Sequence, residues 1–324
     1  MDITVGTFNV NNLFSRYNFK GEIEAIKNDD TEVESDIFYE FGADSLMTLR
    51  TFKGKLVKGK KIKEIEKIAE RITRINVDVL AVQEVEDIDM LRYFNREYLY
   101  YQYPYQTLIE GNDRRRIDVG VLSKLPIGQI TSWQQAVHPD DPSQTVFGRD
   151  LLQVDILSAN RSLKLFTLFN NHLKSHYTDW RVEDEIAAQK DNDARRTRQS
   201  DMISEIVKSQ TDSNSRFIIL GDMNDPPDSP CLEPFTADPA LSLSNALENP
   251  EETKPPKKDD PMPVSPAWTH RYKESGKPAV YELYDQIWLS PSLISQQTEA
   301  WIDRRKTHTA DGSDHDPAWI KLCL

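Results

Sequence analysis

The stretch that decides the fold is residues 217–225, which read Phe217-Ile218-Ile219-Leu220-Gly221-Asp222-Met223-Asn224-Asp225. Four apolar residues without alternation are typical of a strand that is buried on both faces of a sheet. Gly221 ends the run, and Asp222 and Asn224 follow it directly. A strand that ends in this way presents its last side chains in a cleft at the sheet edge. Taken alone, residues 222–227 would also pass as a turn, so the interpretation depends on whether the pattern recurs.

The pattern recurs at four other places, where an apolar run lies next to an acidic or amide side chain. These side chains are Asn9 and Asn11 at the end of residues 3–10, Glu84 at the end of residues 78–84, Asp285 within residues 284–289, and Asp314-His315 before residues 318–322. A single residue of this kind is more often a turn former or a helix cap. The combination favours a site for a hard divalent cation such as Mg²⁺, which takes oxygen ligands from carboxylates, substrate phosphates and water.

The remaining periodicity predicts strands mixed with few helices, which favours α+β layers over a regular βαβ winding. Isoleucines recur every three or four residues from 62 to 75 and predict an amphipathic helix. Residues 180–208 are polar and helix-prone. Further strands are predicted at residues 117–122, 151–157 and 163–169. Residues 1–324 are expected to form one domain, with an insertion or long loop at 28–60 and a Pro-rich exposed loop at 249–266.

The 324 residues carry 40 Lys and Arg against 53 Asp and Glu, a formal net charge of −13. This balance argues against a protein that coats nucleic acid or anionic membrane by bulk positive charge. Cys231 and Cys323 are too few for a disulfide framework and are interpreted as isolated thiols. No apolar run approaches the ~18 residues of a membrane span. The N-terminus lacks the features of a signal peptide, so a cytoplasmic protein is expected, with a monomer as the default.

Five motifs in chain order resemble those of the endonuclease/exonuclease/phosphatase superfamily, which includes DNase I-like nucleases, apurinic endonucleases, inositol-phosphate phosphatases and sphingomyelinases. They are Thr7-Phe8-Asn9-Val10, Gln83-Glu84-Val85, Asn171-His172-Leu173-Lys174-Ser175, Gly221-Asp222-Met223-Asn224-Asp225 and Ser313-Asp314-His315-Asp316-Pro317. The resemblance spans residues 4–322. It implies a four-layered α/β sandwich of the α+β class, in which two packed, mainly antiparallel sheets are flanked by helices and the site lies at one edge.

The resemblance also implies roles for individual residues. Glu84, Asn9 and Asp314 would hold Mg²⁺ or Mn²⁺, with Ca²⁺ as a further option. Asp222 would position or deprotonate the attacking water, and Asn224 would contact the phosphate. His315 would act as phosphate contact or base with Asp285 as its orienting partner, and His172 would donate to the phosphate or leaving group.

Two further residues are assigned to phosphate binding. Arg149 falls where some relatives keep a phosphate-binding arginine, although a salt bridge to Asp150 or another acid is the alternative. Asn11 stands where some members have a carboxylate, so its contribution would lack charge. The other four histidines match no motif and are expected in surface or loop positions: His138, His176, His270 and His308.

Phosphodiester hydrolysis suits this set of residues, because the attacking water needs a base and negative charge accumulates on the non-bridging oxygens. The leading hypothesis is a divalent-metal-dependent phosphodiesterase acting on nucleic acid, with DNA as the expected substrate. The alternative is a phosphatase or phospholipase-type hydrolase acting on a phosphorylated small molecule or lipid headgroup. A non-catalytic binding protein is the third hypothesis, and the intact motif set disfavours it.

Two stretches bear on the choice of substrate. The first is residues 98–105, with five tyrosines, followed by Arg114-Arg115-Arg116. Aromatic and basic groups together suit nucleic-acid contacts, whereas half-buried tyrosines beside a solvated arginine run are the alternative. The second is Arg195-Arg196-Thr197-Arg198-Gln199. It resembles a helix of bacterial nuclease-like members, and its alternative is a solvated helix face held by neighbouring acids.

Overall fold

The computed structural model describes residues 1–14, 60–113, 115–178, 182–252, 260–263, 265–273, 275–305 and 311–324. The predicted insertion at 28–60 therefore lies outside the described residues except for Lys60. The predicted loop at 249–266 is described in part, and it contains one short strand, Glu251–Glu252, that the sequence did not predict. No helix within the described ranges combines the length and the apolar character needed to cross a membrane.

The helices are α1 (Ile62–Ile75), α2 (Ile88–Glu97), α3 (Glu185–Gln210), α4 (Glu233–Thr236) and α5 (Pro291–Ile294). The strands are β1 (Asp2–Leu13), β2 (Val79–Val85), β3 (Tyr105–Leu108), β4 (Asp118–Ser123), β5 (Ile127–Ser132), β6 (Val137–His138), β7 (Asp141–Thr145), β8 (Leu152–Leu157), β9 (Lys164–His172), β10 (Phe217–Asp222), β11 (Ser244–Asn245), β12 (Glu251–Glu252), β13 (His270–Tyr272), β14 (Val280–Glu282), β15 (Asp285–Leu289), β16 (Gln297–Ile302) and β17 (Ala318–Cys323).

Two mixed sheets form the centre of the fold. One has the order β12-β16-β17-β1-β2-β4-β3, and the other has the order β11-β15-β10-β9-β8-β5. The pairs β1–β2, β12–β16 and β9–β10 are parallel, and the other pairs within these two sheets are antiparallel. The predicted α+β fold with two mainly antiparallel sheets is confirmed.

Alternate side chains of the central strands point into different hydrophobic layers. In β2, Val79 and Ala81 pack between the sheets, whereas Leu80 and Val82 pack against α1 and α2. In β10, Ile218 packs between the sheets, and Ile219 packs on the outer side with α3 and α4. The layers are therefore helix, sheet, sheet and helix. Burial on both faces is the reason why these strands are continuously apolar in sequence.

Local signals set the helix positions. Ile65, Ile68 and Ile72 of α1 are buried at helical spacing against β1 and β2. Asp87 caps α2 by accepting a hydrogen bond from the Met90 N–H, and Asp184 caps α3 in the same way from the Ala187 N–H. These caps fix where the polypeptide leaves the strands and enters the outer layers.

Strand register brings the polar strand ends to one edge. Asp222 lies opposite His172 on β9 and opposite Asp285 on β15. In the other sheet, Asn9 pairs with Gln83, next to Glu84. The two sheets are joined near this edge by a buried hydrogen bond of 2.8 Å from Gln83 Nε2 to Asn170 Oδ1.

Candidate active site

Asp222 lies at the centre of the polar edge and is 1% exposed. Its Oδ2 accepts a hydrogen bond of 2.8 Å from Asn9 Nδ2, and its Oδ1 accepts one of 2.9 Å from the Asn224 N–H. Burial raises the pKa of Asp222 to about 7, and the charge of Asp285 adds to the effect while His315 opposes it. A carboxyl group with such a pKa is suited to exchanging a proton near neutral pH.

His315 is held by Asp285. Its Nδ1 lies 2.7 Å from Asp285 Oδ2, and its Nε2 lies 3.7 Å from Asp222 Oδ2. Burial disfavours the imidazolium, but the negative charges of Asp285 and Asp222 outweigh it and hold the pKa of His315 well above its usual value. The ring therefore presents a positively charged Nε2 side towards Asp222.

The loop that carries His315 is anchored to β1 and to α1. Ser313 Oγ donates to the Asn9 carbonyl at 2.6 Å, and the His315 N–H donates to Ser313 Oγ at 3.0 Å. Asp316 is fully buried and pairs with Arg71, whose Nη2 lies 2.6 Å from Asp316 Oδ1. Arg71 also donates to the His315 carbonyl at 3.1 Å. These contacts hold His315 in position at the sheet edge, and Arg71 was not predicted to take part.

Glu84 has a backbone conformation that glutamate rarely adopts. Its φ of 63° lies in the left-handed region, as do those of Asn11 and Asn224. Asparagine tolerates this region, but for glutamate it is strained by about 1–3 kcal/mol. Strain of this kind persists where the surrounding structure imposes it, and it clusters at functional sites. Glu84 lies near the end of β2, where the pairing with β4 shifts register, and its side chain reaches the polar edge beside His172.

Glu84 and Asp314 are the carboxylates that the sequence assigned to a metal. Burial, with the charge of Asp314, raises the pKa of Glu84, whose side chain is 16% exposed. Burial alone would raise the pKa of Asp314 too, but His270, His315 and Asn11 together hold it below its usual value. Asn11 Nδ2 donates to Asp314 Oδ1 at 2.5 Å. In this structure Asn11 therefore donates to a carboxylate, whereas the contact expected for it was with a phosphate.

His172 sits between the two acidic groups. Its Nε2 is 3.5 Å from Asp222 Oδ2 and 3.9 Å from Glu84 Oε1. Burial, reinforced by Arg149 and His315, holds the pKa of His172 well below its usual value. The ring is therefore neutral at neutral pH, in contrast to His315. Its buried Nδ1 has no hydrogen-bond partner among the described residues.

Arg149 and Asn224 converge on one backbone carbonyl. Arg149 Nη1 and Asn224 Nδ2 each donate to the Leu173 carbonyl at 3.1 Å. Arg149 is 3% exposed, and its Nε lies 3.2 Å from Asp113 Oδ2. The acid that pairs with Arg149 is thus Asp113, while Asp150, the neighbour in sequence, accepts from the Trp133 N–H at 2.8 Å.

His270 and Tyr284 belong to the site but were not predicted. The His270 ring lies 4.8 Å from the His315 ring and stacks on Tyr284 at 5.0 Å. His270 Nε2 is 3.8 Å from Asp314 Oδ2. A surface or loop role is thus wrong for His270, since an antiparallel bridge with His315 holds it beside the motif. The signal in sequence is weak, because His270 stands in no motif and its partner is 45 positions away.

Of the other histidines, His138 differs from the expected surface or loop position, whereas His176 lies in a loop as expected. His138 is buried, with Nε2 2.9 Å from Asp201 Oδ2. His176 Nε2 lies 3.1 Å from Asp225 Oδ1, and the His176 side chain is 41% exposed. His308 lies outside the described residues.

Two groups of described residues place one potential metal-ligand atom from each member within 4.8 Å of one another. The first contains His270, Asp314 and His315, and the second contains Asp222, Asp285 and His315. Carboxylate oxygens and imidazole nitrogens are donors for divalent metals. The edge therefore has acidic and imidazole groups that could hold a metal ion.

The predicted tyrosine stretch lies away from this edge. Tyr105 pairs with Ser123 at the end of β4, whereas Asp118 at its beginning pairs with Val85 beside Glu84. Tyr103 is fully buried in the core. The tyrosines therefore do not lie beside the site. Arg115 and Arg116 precede β4 and lie on the side of the site, and Arg114 is outside the described residues.

Arg196 of the second basic stretch is buried and structural. Its Nε donates to Asp225 Oδ2 at 2.6 Å, and its Nη1 donates to the Lys174 carbonyl at 2.9 Å. Helix α3 is thereby joined to the loops that follow β9 and β10. Neighbouring acids hold Arg196, as in the alternative, but Arg196 is buried and does not lie on a solvated helix face.

A model of the endonuclease/exonuclease/phosphatase family matches residues 6–315. The chain belongs to this family. Members of the endonuclease/exonuclease/phosphatase family are hydrolases that act on phosphoesters. A comparison with curated protein sequences finds no match.

Solved structures with the same fold include several members of the family. A mannosyl-6-phosphatase from Bacteroides thetaiotaomicron is 14% identical, with a TM-score of 0.57 and coverage of 99% of this chain and 100% of that one. Truncated Caenorhabditis elegans TDP2 is 13% identical, with a TM-score of 0.55 and coverage of 100% and 98%. The human Nocturnin catalytic domain with bound sulfate is 15% identical, with a TM-score of 0.57 and coverage of 99% and 94%. At these identities the similarity shows the fold alone.

Proposed function

We propose that this protein is a divalent-metal-dependent phosphodiesterase that hydrolyses nucleic-acid phosphodiester bonds, with DNA as substrate, by attack of an activated water. The observation that carries the proposal is the linked set Asn9–Asp222 and Asp285–His315, with 2.8 Å and 2.7 Å between the paired atoms. It places an acid–base group and a cationic donor next to each other at the sheet edge. Glu84 and Asp314 lie at the same edge and supply carboxylate oxygens.

The side chains fit a divalent cation. Burial, with the negative charge of Asp314, raises the pKa of Glu84, so the two carboxylates repel each other. A cation between them would remove that repulsion. Glu84, Asp314 and the side-chain amide of Asn9 would hold Mg²⁺ or Mn²⁺, with Ca²⁺ as a further option. When bound, such an ion neutralises charge on the phosphate oxygens.

Asp222 is the proposed base. Its pKa of about 7 lets it accept a proton from water near neutral pH. The hydrogen bonds from Asn9 Nδ2 and the Asn224 N–H hold its two oxygens in fixed directions. A base held in this way needs little reorganisation during the reaction.

His315 and Arg149 are the proposed cationic partners of the phosphate. His315 is charged because of Asp285 and Asp222, and a charged imidazole stabilises the negative non-bridging oxygens of the transition state. His172 is neutral and lies between Glu84 and Asp222. Its proposed role is to donate one hydrogen bond to the phosphate or the leaving group.

Local charge supports a polyanionic substrate. The chain as a whole has a net charge of −13, which repels nucleic acid at long range. Arg149 and Arg115 place positive charge at the site in spite of the negative net charge. Both lower the pKa of His172 through that charge. A phosphatase acting on a phosphorylated small molecule or lipid headgroup is the second candidate, because Arg149 is only 3% exposed and a small ligand reaches a buried group more easily than a polymer does.

The proposal is tested with a hydrolysis panel of plasmid DNA, single-stranded DNA, RNA, inositol phosphates and sphingomyelin, each with Mg²⁺ or Mn²⁺ and with a chelator. We expect metal-dependent nicking of the plasmid by the wild type and none by His315→Ala. Hydrolysis restricted to inositol phosphates or sphingomyelin would transfer the function to the second candidate. Nicking by His315→Ala at the wild-type rate would show that the assigned site is wrong.

A further inference from the structure

Three cationic side chains lie side by side near His172. Asp113 bridges two of them, because Arg149 Nε lies 3.2 Å from its Oδ2 and Arg115 Nε lies 3.4 Å from its Oδ1. The third is Lys174, which follows Leu173, and the Leu173 carbonyl accepts from Arg149 Nη1. The three side chains therefore come from three loops, which precede β4, precede β8 and follow β9.

Lys174 is held in place by contacts with its own loop and with α3. Its backbone N–H donates to Gln199 Oε1 at 2.9 Å, and its carbonyl accepts from Arg196 Nη1 at 2.9 Å. Its Nζ donates to the Ser175 carbonyl at 2.8 Å and to the Tyr177 carbonyl at 3.2 Å. An ammonium group has three donors, and two of those of Lys174 have partners among the described residues, which leaves one N–H of this half-buried group for a ligand.

The positive charges of this group repel one another. Burial, together with the charges of Arg149, Arg195, Arg115 and Arg196, lowers the pKa of Lys174 to about 8. Burial and Arg115 likewise lower the pKa of Arg149, although Asp113, Glu84 and Asp222 oppose the shift. Asp113 supplies one negative charge to two arginines. A bound anion would relieve the remaining repulsion.

We propose that Lys174 and Arg115, next to Arg149, form a second phosphate-binding position beside the reactive phosphate, so that the preferred substrates carry at least two phosphate groups. This inference rests on the proposed function and defines its substrate class more closely. An oligonucleotide meets the requirement at every internal bond. An ester with one phosphate leaves the second position empty and loses its charge-assisted hydrogen bonds.

The test compares two esters with the same reactive bond: thymidine 5′-(p-nitrophenyl phosphate) with and without a 3′-phosphate. We expect the wild type to prefer the 3′-phosphorylated ester by about tenfold or more in kcat/KM. Lys174→Met and Arg115→Met should each lower that preference. Lys164→Met is the matched control and should keep it, because Lys164 begins β9 at the end opposite to His172 and pairs with Asp155.

Direct binding separates failure of this inference from failure of the proposed function. Calorimetry with Mg²⁺ present should show tighter binding of thymidine 3′,5′-bisphosphate than of the 5′-monophosphate to the wild type. Lys174→Met should reduce that difference, with thermal melting as the check on folding. Absence of hydrolysis of both esters, with the binding difference intact, would overturn the nuclease function alone. Equal rates and equal affinities for the paired compounds would overturn the second phosphate position.

Discussion

His315 Nδ1 lies 2.7 Å from Asp285 Oδ2, although the two residues are 30 positions apart, Asp285 at the start of β15 and His315 in the loop before β17. The contact has two consequences. It fixes the orientation of the imidazole ring, and it favours the charged form, since the pKa of His315 is held well above its usual value. A histidine paired with a carboxylate in this way keeps its other nitrogen available for a substrate or a proton.

The first prediction concerns this pair. Asp285→Asn removes the negative charge but keeps the size of the side chain, so His315 should lose both its charge and its fixed orientation. We expect kcat to fall by about 10²–10⁴-fold in a nuclease assay. Asp155→Asn, on β8 and bonded to Thr167, serves as the control and should retain activity. Wild-type turnover by Asp285→Asn would remove Asp285 from the mechanism.

The second prediction concerns Gly221, which joins the buried strand to Asp222. Its φ is 136°, and a Cβ atom there would lie 2.0 Å from the Asn171 carbonyl oxygen. Gly221→Ala should therefore lower the free energy of unfolding by about 3 kcal/mol or more. A Cβ atom at Gly148 would meet no atom within 4 Å, so Gly148→Ala should change the free energy of unfolding by less than about 1 kcal/mol. Urea denaturation of both variants measures these changes, and equal losses of unfolding free energy would refute the steric explanation.

The third prediction concerns the buried ion pair between Arg196 and Asp225, whose side chains are 1% and 7% exposed. Arg196→Met leaves Asp225 buried without its main partner, and we expect a loss of about 3–5 kcal/mol in unfolding free energy. The double variant with Asp225→Asn should be more stable than the single one. Arg198→Met, whose partner Asp141 is 3.7 Å away at the surface, should change stability by less than about 1 kcal/mol. Similar losses in both arginine variants would contradict this account.

The fourth prediction concerns pH and Asp118, which is 1% exposed. Burial raises the pKa of Asp118 to about 7, although the hydrogen bond that Asp118 accepts from the Gly111 N–H acts to lower it. Because the folded pKa is above the unfolded value, ionised Asp118 destabilises the folded state. Its contribution to stability falls as pH rises from about 4 to about 7, by on the order of 4 kcal/mol at most.

Asp118→Asn keeps an acceptor for the Gly111 N–H and cannot ionise. Relative to wild type, this variant should gain unfolding free energy between pH 5 and pH 8 in urea titrations. Asp89→Asn, at an exposed position on α2, provides the comparison and should follow the wild-type pH dependence. Parallel curves for wild type and Asp118→Asn over this range would show that Asp118 carries no such penalty.

The central strands could be predicted because their residues are buried on both faces. Ile218 and Ile219 lie in different hydrophobic layers, so the sequence shows an uninterrupted apolar run. The strand ends were marked by residue type, and register then placed Asp222 beside His172 and Asp285. Helix α1 was predicted from the spacing of its isoleucines, because only one face of this helix is buried.

Contacts between distant parts of the chain could not be predicted. His270 and Tyr284 reach the site through a bridge and a ring stack, and neither leaves a periodic signal. Arg71 looks like a polar residue of an amphipathic helix, yet it pairs with Asp316 245 positions later. The tyrosines at 98–105 have the composition of a nucleic-acid surface, but strand register places Tyr105 at the opposite edge from Glu84.

The most direct test of the central claim measures plasmid cleavage by wild type and Glu84→Gln over a Mn²⁺ titration, with Mn²⁺ binding followed by electron paramagnetic resonance. The variant keeps the size of the side chain but loses the carboxylate that faces Asp314. We predict that wild type binds Mn²⁺ and nicks the plasmid, that a chelator abolishes nicking, and that Glu84→Gln binds the ion weakly and leaves the plasmid intact. Cleavage by wild type that persists in the chelator, or equal Mn²⁺ binding and cleavage by Glu84→Gln, would contradict a metal-dependent phosphodiesterase at this site.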